Sequence, residues 1–153
     1  MTSETRRYKP LRLMAADEED LEVVSAFLQD AVAKVGDFAY LPNERVFAFV
    51  ANRFLWELAA ERRAGPFWRA RAGVHFGDVR AVKHLNIRTD VSEAVVDLLA
   101  IRFEPGEEGS GAIVLDFAGG GAIRLEVECI NCDLRDMSEP WRTRARPAHD
   151  EKG

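Results

Sequence analysis

From Ala31 onward the chain is a series of short apolar runs of period two, closed by Gly, Pro, Asn and Asp, which is the pattern of an antiparallel, hairpin-rich sheet. Residues 32–35 are set to meet residues 38–41 across Gly36-Asp37, and Pro42-Asn43-Glu44 then turns the chain into a long run over residues 45–57. In that run both alternating sets are apolar: Val46, Ala48 and Val50 on one side, Phe47, Phe49 and Ala51 on the other. A strand apolar on both faces is expected to be buried on both, at the centre of the fold with helix or sheet above and below. Residues 58–63 favour a helical turn, closed by Ala64-Gly65-Pro66. The cleanest alternation follows, with Trp68, Ala70, Ala72, Val74 and Phe76 opposite Arg69, Arg71, Gly73 and His75. Gly77-Asp78 then reads as a two-residue hairpin turn into a return strand over residues 79–87. Residues 94–103 are again apolar on both faces, residues 104–111 form an acidic loop, and Gly119-Gly120-Gly121 joins two further alternating runs.

Ahead of the sheet pattern, Leu11, Leu13 and Ala15 suggest a short strand, and Asp17 is an N-cap followed by the acids Glu18, Glu19 and Asp20. Leu21, Val24, Phe27 and Leu28 recur at helical spacing, which predicts one amphipathic helix over residues 18–29. With 153 residues, 47% hydrophobic and 31% charged, the chain is long enough to build a core without disulfides or metal. The expected fold is α+β, mostly antiparallel β, with about eight strands in a curved sheet or partly closed barrel and one N-terminal amphipathic helix. One globular domain over residues 11–136 is expected between a mobile segment, 1–10, and a mobile charged tail, 137–153, which Trp141 anchors. No run is long and apolar enough to span a bilayer and no secretion signal opens the chain, so the expectation is a cytoplasmic protein without a membrane partner.

Charge is unevenly spread. The net charge is −5, yet residues 61–90 hold seven Lys or Arg against three acids, a local +4 that leaves −9 on the remainder. If Gly77-Asp78 is a hairpin turn, Phe76 faces Val79, His75 faces Arg80, Arg71 faces His84 and Arg69 faces Asn86. Arg69, Arg71, His75, Arg80, His84 and Asn86 would then share one cationic sheet face. Such a face suits an acidic protein segment or an anionic ligand. The plainer alternative is a solvated outer face. Trp68 and Phe76 point away from it, so base-stacking platforms are missing and the pattern argues against nucleic acid.

The remaining motifs are weak. Cys129 and Cys132 form a CxxC inside a strand, with a bulge expected near Cys129-Ile130, and read best as two buried, reduced thiols. His75, His84 and His149 have no metal-ligand spacing; His149 is most simply solvated in the tail. The glycine triplet joins strands and lacks the features of a phosphate loop, Ser110 lacks a nucleophile elbow, and Glu126 and Glu128 read as solvated. No metal, cofactor or catalytic set is expected.

Residues 21–35, Asn52-Arg53-Phe54-Leu55-Trp56-Glu57, Phe103-Glu104-Pro105-Gly106-Glu107 and the stretch Gly119-Gly120-Gly121-Ala122-Ile123-Arg124-Leu125-Glu126-Val127-Glu128-Cys129-Ile130 resemble a bacterial, mostly alphaproteobacterial family, domain of unknown function 2948. The resemblance runs from about Pro10 to Pro147 and implies a short, single-domain cytosolic protein; it supplies no activity, cofactor or site residue. The function favoured by the residues themselves is a small non-catalytic binding or regulatory module with its cationic face toward an acidic partner. Two alternatives stand beside it: a small enzyme using His75 or His84 as acid or base, and a structural homodimer subunit.

Overall fold

In the computed structural model, which describes residues 7–59, 65–144 and 146–147, strand β1 (Arg12–Ala15) leads into helix α1 (Glu18–Leu28). The Asp17 side chain accepts the Asp20 N–H at 2.7 Å and so satisfies one of the free donors of the first turn. Leu21, Val24 and Leu28 are buried on the inward stripe. The chain continues through β2 (Val32–Lys34), a 3-10 turn (Val35–Asp37), β3 (Phe38–Leu41), β4 (Val46–Phe54) and the single-turn helix α2 (Trp56–Ala59). Strands β5 (Phe67–Phe76), β6 (Val79–Leu85), β7 (Val95–Pro105), β8 (Gly111–Phe117) and β9 (Ala122–Val127) follow. The last two are β10 (Cys132–Asp136) and β11 (Trp141–Thr143).

All pairings are antiparallel, in the order β1-β10-β5-β4-β2-β7-β8-β9-β6, with β11 beside β5 and β3 beside β4. The short β2 joins a first half, built on β4 and β5, to a second half of β7, β8, β9 and β6. The halves fold toward each other, so that Phe47, Phe49, Val74 and Phe76 from the first share one core with Ile113, Leu115, Ile123 and Leu125 from the second. Helix α1 adds its stripe to that core, and its Ser25 Oγ accepts the Ile101 N–H at 2.8 Å beside the bulge of β7.

The fold is therefore mostly β rather than α+β, with eleven strands among the described residues rather than about eight. The difference comes from the predicted final run, which breaks into β9 and β10, and from the tail, which adds β11 to the edge of β5. The sheet is not a closed barrel: among the described residues β6 pairs with β9 alone and β3 with β4 alone. A cleft of about 230 Å³ lies between those two strands.

Two expected hairpins do not form. Strand β2 turns away from β3 and pairs with β4 and β7, and β6 does not pair with β5. At Gly77-Asp78 the chain passes from one half to the other, because Phe76 and Val79, both fully buried, have to enter the same core from different strands. Asp78 takes the left-handed conformation, φ 56°, and Gly77 N–H donates to the Asn131 carbonyl at 2.8 Å. The β9–β10 connection crosses beside it, with Glu128 N–H donating to the Asp78 carbonyl at 3.0 Å. Asn131 Nδ2 and the Cys129 thiol donate to the Asp78 carboxylate, which these bonds hold below its ordinary pKa. The two crossings brace one another, and the edge of β5 expected for β6 is occupied by β10.

Candidate binding groove

Sheet register assembles the site. On the outer face of the first half one row runs Ala39, Ala48, His75, Asp133 and Met14, across β3, β4, β5, β10 and β1. The neighbouring row runs Val50, Gly73, Arg135 and Arg12. Small side chains on three adjacent strands leave a trough, and the wall residues rise around it. The result is an open groove of about 590 Å³ with an apolar floor of Ala39, Ala48, Val50 and Gly73. Arg12, Asp37, His75, Asp133, Arg135 and Met137 also line it. Gly73 lets the Met137 sulfur lie close over the strand: a Cβ at this position would stand 3.0 Å from it, and the exposed Met137 side chain would have to shift.

The floor corrects an expectation. The Val46, Ala48, Val50 side of β4 is not buried under a further layer; it is half-buried and open, while Phe47, Phe49 and Ala51 fill the core. An apolar strand face that reads as covered is instead the base of the groove.

Behind the groove lies a buried ion cluster. Arg53 in β4 is fully buried; its Nε and Nη2 donate to Asp136 at 2.7 and 2.8 Å, and its Nη1 and Nη2 to Glu57 at 3.0 and 2.7 Å. Tyr8 Oη and the Leu11 N–H also donate to Asp136, at 2.6 and 2.9 Å. Burial pushes the Asp136 carboxyl up, but the bonds from Arg53, Leu11 and Tyr8 and the guanidinium charge outweigh it, so the group sits below its ordinary pKa. Burial and the Asp136 contact together push the Tyr8 phenol far above its usual value. This cluster fixes the end of β10, and hence Arg135, from the core side.

The six predicted site residues separate. Arg69, Arg71 and His75 lie along the outer face of β5, whereas His84 is in register with the buried Ile123 and lines the cleft between β3 and β6. Arg80 sits at the bulge at the start of β6, its guanidinium 3.5 Å from the Val127 carbonyl, and Asn86 lies past the end of β6 with φ 55°. Arg69 is half-buried at the seam between halves, where it donates to the Asn52 and Asp30 carbonyls at 2.8 and 3.2 Å and covers the Phe54 ring. Burial lowers its pKa, against the opposing charges of Asp97 and Asp30. Arg71 is exposed and lies 3.8 Å from Asp37. A single cationic face of six residues does not exist, because the strands that carry them are not neighbours. Glu61, Arg62 and Arg63 of the basic stretch, and His149, lie outside the described residues.

Sequence reasoning missed Arg12, Arg135 and the Arg53 cluster. Arg12 faces Arg135 directly across β1 and β10, and among the described residues neither forms an ion pair. The outer face of the second half is the reverse case. There Arg102 pairs with Asp116 and Glu104, and Arg124 with Glu104 and Glu126, in one continuous ladder over β7, β8 and β9. Bonds from Arg124 and Arg102 hold Glu104 below its ordinary pKa.

Of the CxxC, Cys132 is buried and Cys129 is exposed at the crossing, so the expectation of two buried thiols holds for one. Burial pushes the Cys132 thiol up to about 12. Among the described residues no group of three or more His, Cys, Asp or Glu is placed to hold a metal ion.

The family described as "Protein of unknown function (DUF2948)" matches residues 11–149. The chain belongs to this family. The DUF2948 match takes in every residue that lines the groove, and its description assigns no activity. Neither the search of curated proteins nor that of solved structures gave a match. No helix among the described residues is long and apolar enough to cross a membrane.

Proposed function

We propose that this DUF2948 chain is a small non-catalytic binding module and that the outer-face groove of its first half receives the ligand. One observation carries the reading: an apolar floor spanning β3, β4 and β5 lies open on a face whose counterpart in the second half is closed by paired charges. A pocket of about 590 Å³ is within the size range of small-molecule sites, and a few polar groups around an apolar floor are what orient a ligand. His75, Asp37 and Asp133 line the groove and supply such polar groups beside the apolar floor.

Ligand-observed NMR with a library of small amphipathic fragments tests this. The expected result is a set of hits that weaken together in the Ala39→Leu/Ala48→Leu double variant, which fills the floor. Hits that persist unchanged in that variant, or no hits at all, would count against the groove.

A further inference from the structure

The groove has two chemically distinct ends. Over β3, β4 and β5 it offers Ala39, Ala48, Val50 and Gly73; over β10 and β1 it offers Arg135 and Arg12. We infer that the ligand is an amphiphile with an oxyanion head group, its apolar body lying across β3–β5 and its head held between Arg12 and Arg135. This rests on the groove being the binding site.

Charge complementarity selects the occupant. Like charges directly opposite on neighbouring antiparallel strands destabilise a sheet. Where exposed arginines of this sheet meet a neighbour at close range, the neighbour is an acid or a backbone carbonyl: Asp116 for Arg102, Glu126 for Arg124, Asp37 for Arg71 and the Val127 carbonyl for Arg80. Arg12 and Arg135 face each other instead, and no acid among the described residues pairs with them. Two carboxylates line the groove. Asp37 sits beside Arg71, and Asp133 is one row away, directly between His75 and Met14. Neither lies between the two arginines. An oxyanion placed there would relieve their repulsion and accept charge-assisted hydrogen bonds from both forks.

Register also sets the length. With strands about 4.8 Å apart, the floor centred on β4 lies roughly 10 Å from Arg135 and about 14 Å from Arg12, the span of an eight- to ten-carbon chain with its head group. A carboxylate and a phosphate monoester share the required chemistry.

Isothermal titration of the full chain with decanoate, octyl phosphate, decanol and acetate separates the elements of the claim. Decanoate or octyl phosphate is expected to bind, the stronger of them identifying the head group, while decanol and acetate bind at least about tenfold more weakly. Arg12→Gln/Arg135→Gln, checked for folding by circular dichroism, is expected to lower affinity for the anion by about tenfold or more and to leave decanol unchanged. The affinity should fall with added salt. Decanol binding as tightly as decanoate, or an anion affinity unchanged in the double Gln variant, overturns the head-group assignment while leaving the groove standing. Absence of binding by every amphiphile, or binding unaffected by Ala39→Leu/Ala48→Leu, overturns both.

Discussion

The two halves of this sheet carry outer faces built to opposite rules. On the second half, Arg102, Glu104, Asp116, Arg124 and Glu126 answer one another across three strands, as a face that meets only water can do. On the first half the equivalent surface has small apolar side chains, and two arginines meet without an acid between them. Both faces arise from the same alternation of side chains along antiparallel strands. The difference shows that alternation decides which residues face outward, whereas the identity of cross-strand partners decides whether that face is complete in itself.

The largest effect should come from the support behind the first face. Asp136→Ala leaves the buried Arg53 charge with Glu57 alone and is expected to cost about 3–5 kcal/mol in urea unfolding. A loss no greater than that of a surface ion pair would mean that the cluster does not hold β10. The same carboxylate gives a pH dependence. Its folded pKa is depressed, so its stabilisation is full above the ordinary carboxylate value and is lost as pH falls through the lower folded value. Stability measured against pH should therefore fall below about pH 4, and Asp136→Asn should flatten that acid limb.

Smaller effects distinguish the two faces themselves. Arg102→Gln removes an exposed partner of Asp116 and Glu104 and should cost less than about 1 kcal/mol, reduced further by salt. Arg12→Gln or Arg135→Gln should cost nothing, or raise stability by a few tenths of a kcal/mol, since each removes a like charge from a cross-strand pair. If these arginines cost as much to remove as Arg102, they have partners and the contrast between the faces disappears. Thermal melts of the three variants at low and high salt decide it.

Much of the strand content was readable from period two: β4, β5, β7, β8 and the β8–β9 hairpin across Gly119 and Gly120, both at positive φ, lie where alternation and turn residues put them. Pairing was not readable. Gly77-Asp78 has the composition of a hairpin turn, but the buried pair Phe76 and Val79 is served better by a crossing between halves, and the partner of β5 arrives far along the chain as β10. The candidate site suffered from the same error, since it assumed that β5 and β6 were neighbours. One signal was present and misread. Val46, Ala48 and Val50 give β4 a second apolar face, and such a face admits two explanations, a covering layer or an open groove; the layer was the default. Arg53 near the end of that strand was the other clue. An arginine inside a run apolar on both sides needs a buried acid, and Glu57 stands four residues on, though nothing local points to Asp136.

The central claim is that the first half's outer face, and not the second's, receives a ligand. Amide chemical-shift mapping during titration with decanoate tests it directly. The account predicts shifts at Ala39, Ala48, Gly73 and Arg135, with Arg102, Asp116 and Arg124 unmoved; shifts centred on the Arg102–Glu126 ladder, or spread evenly over both faces, would contradict it.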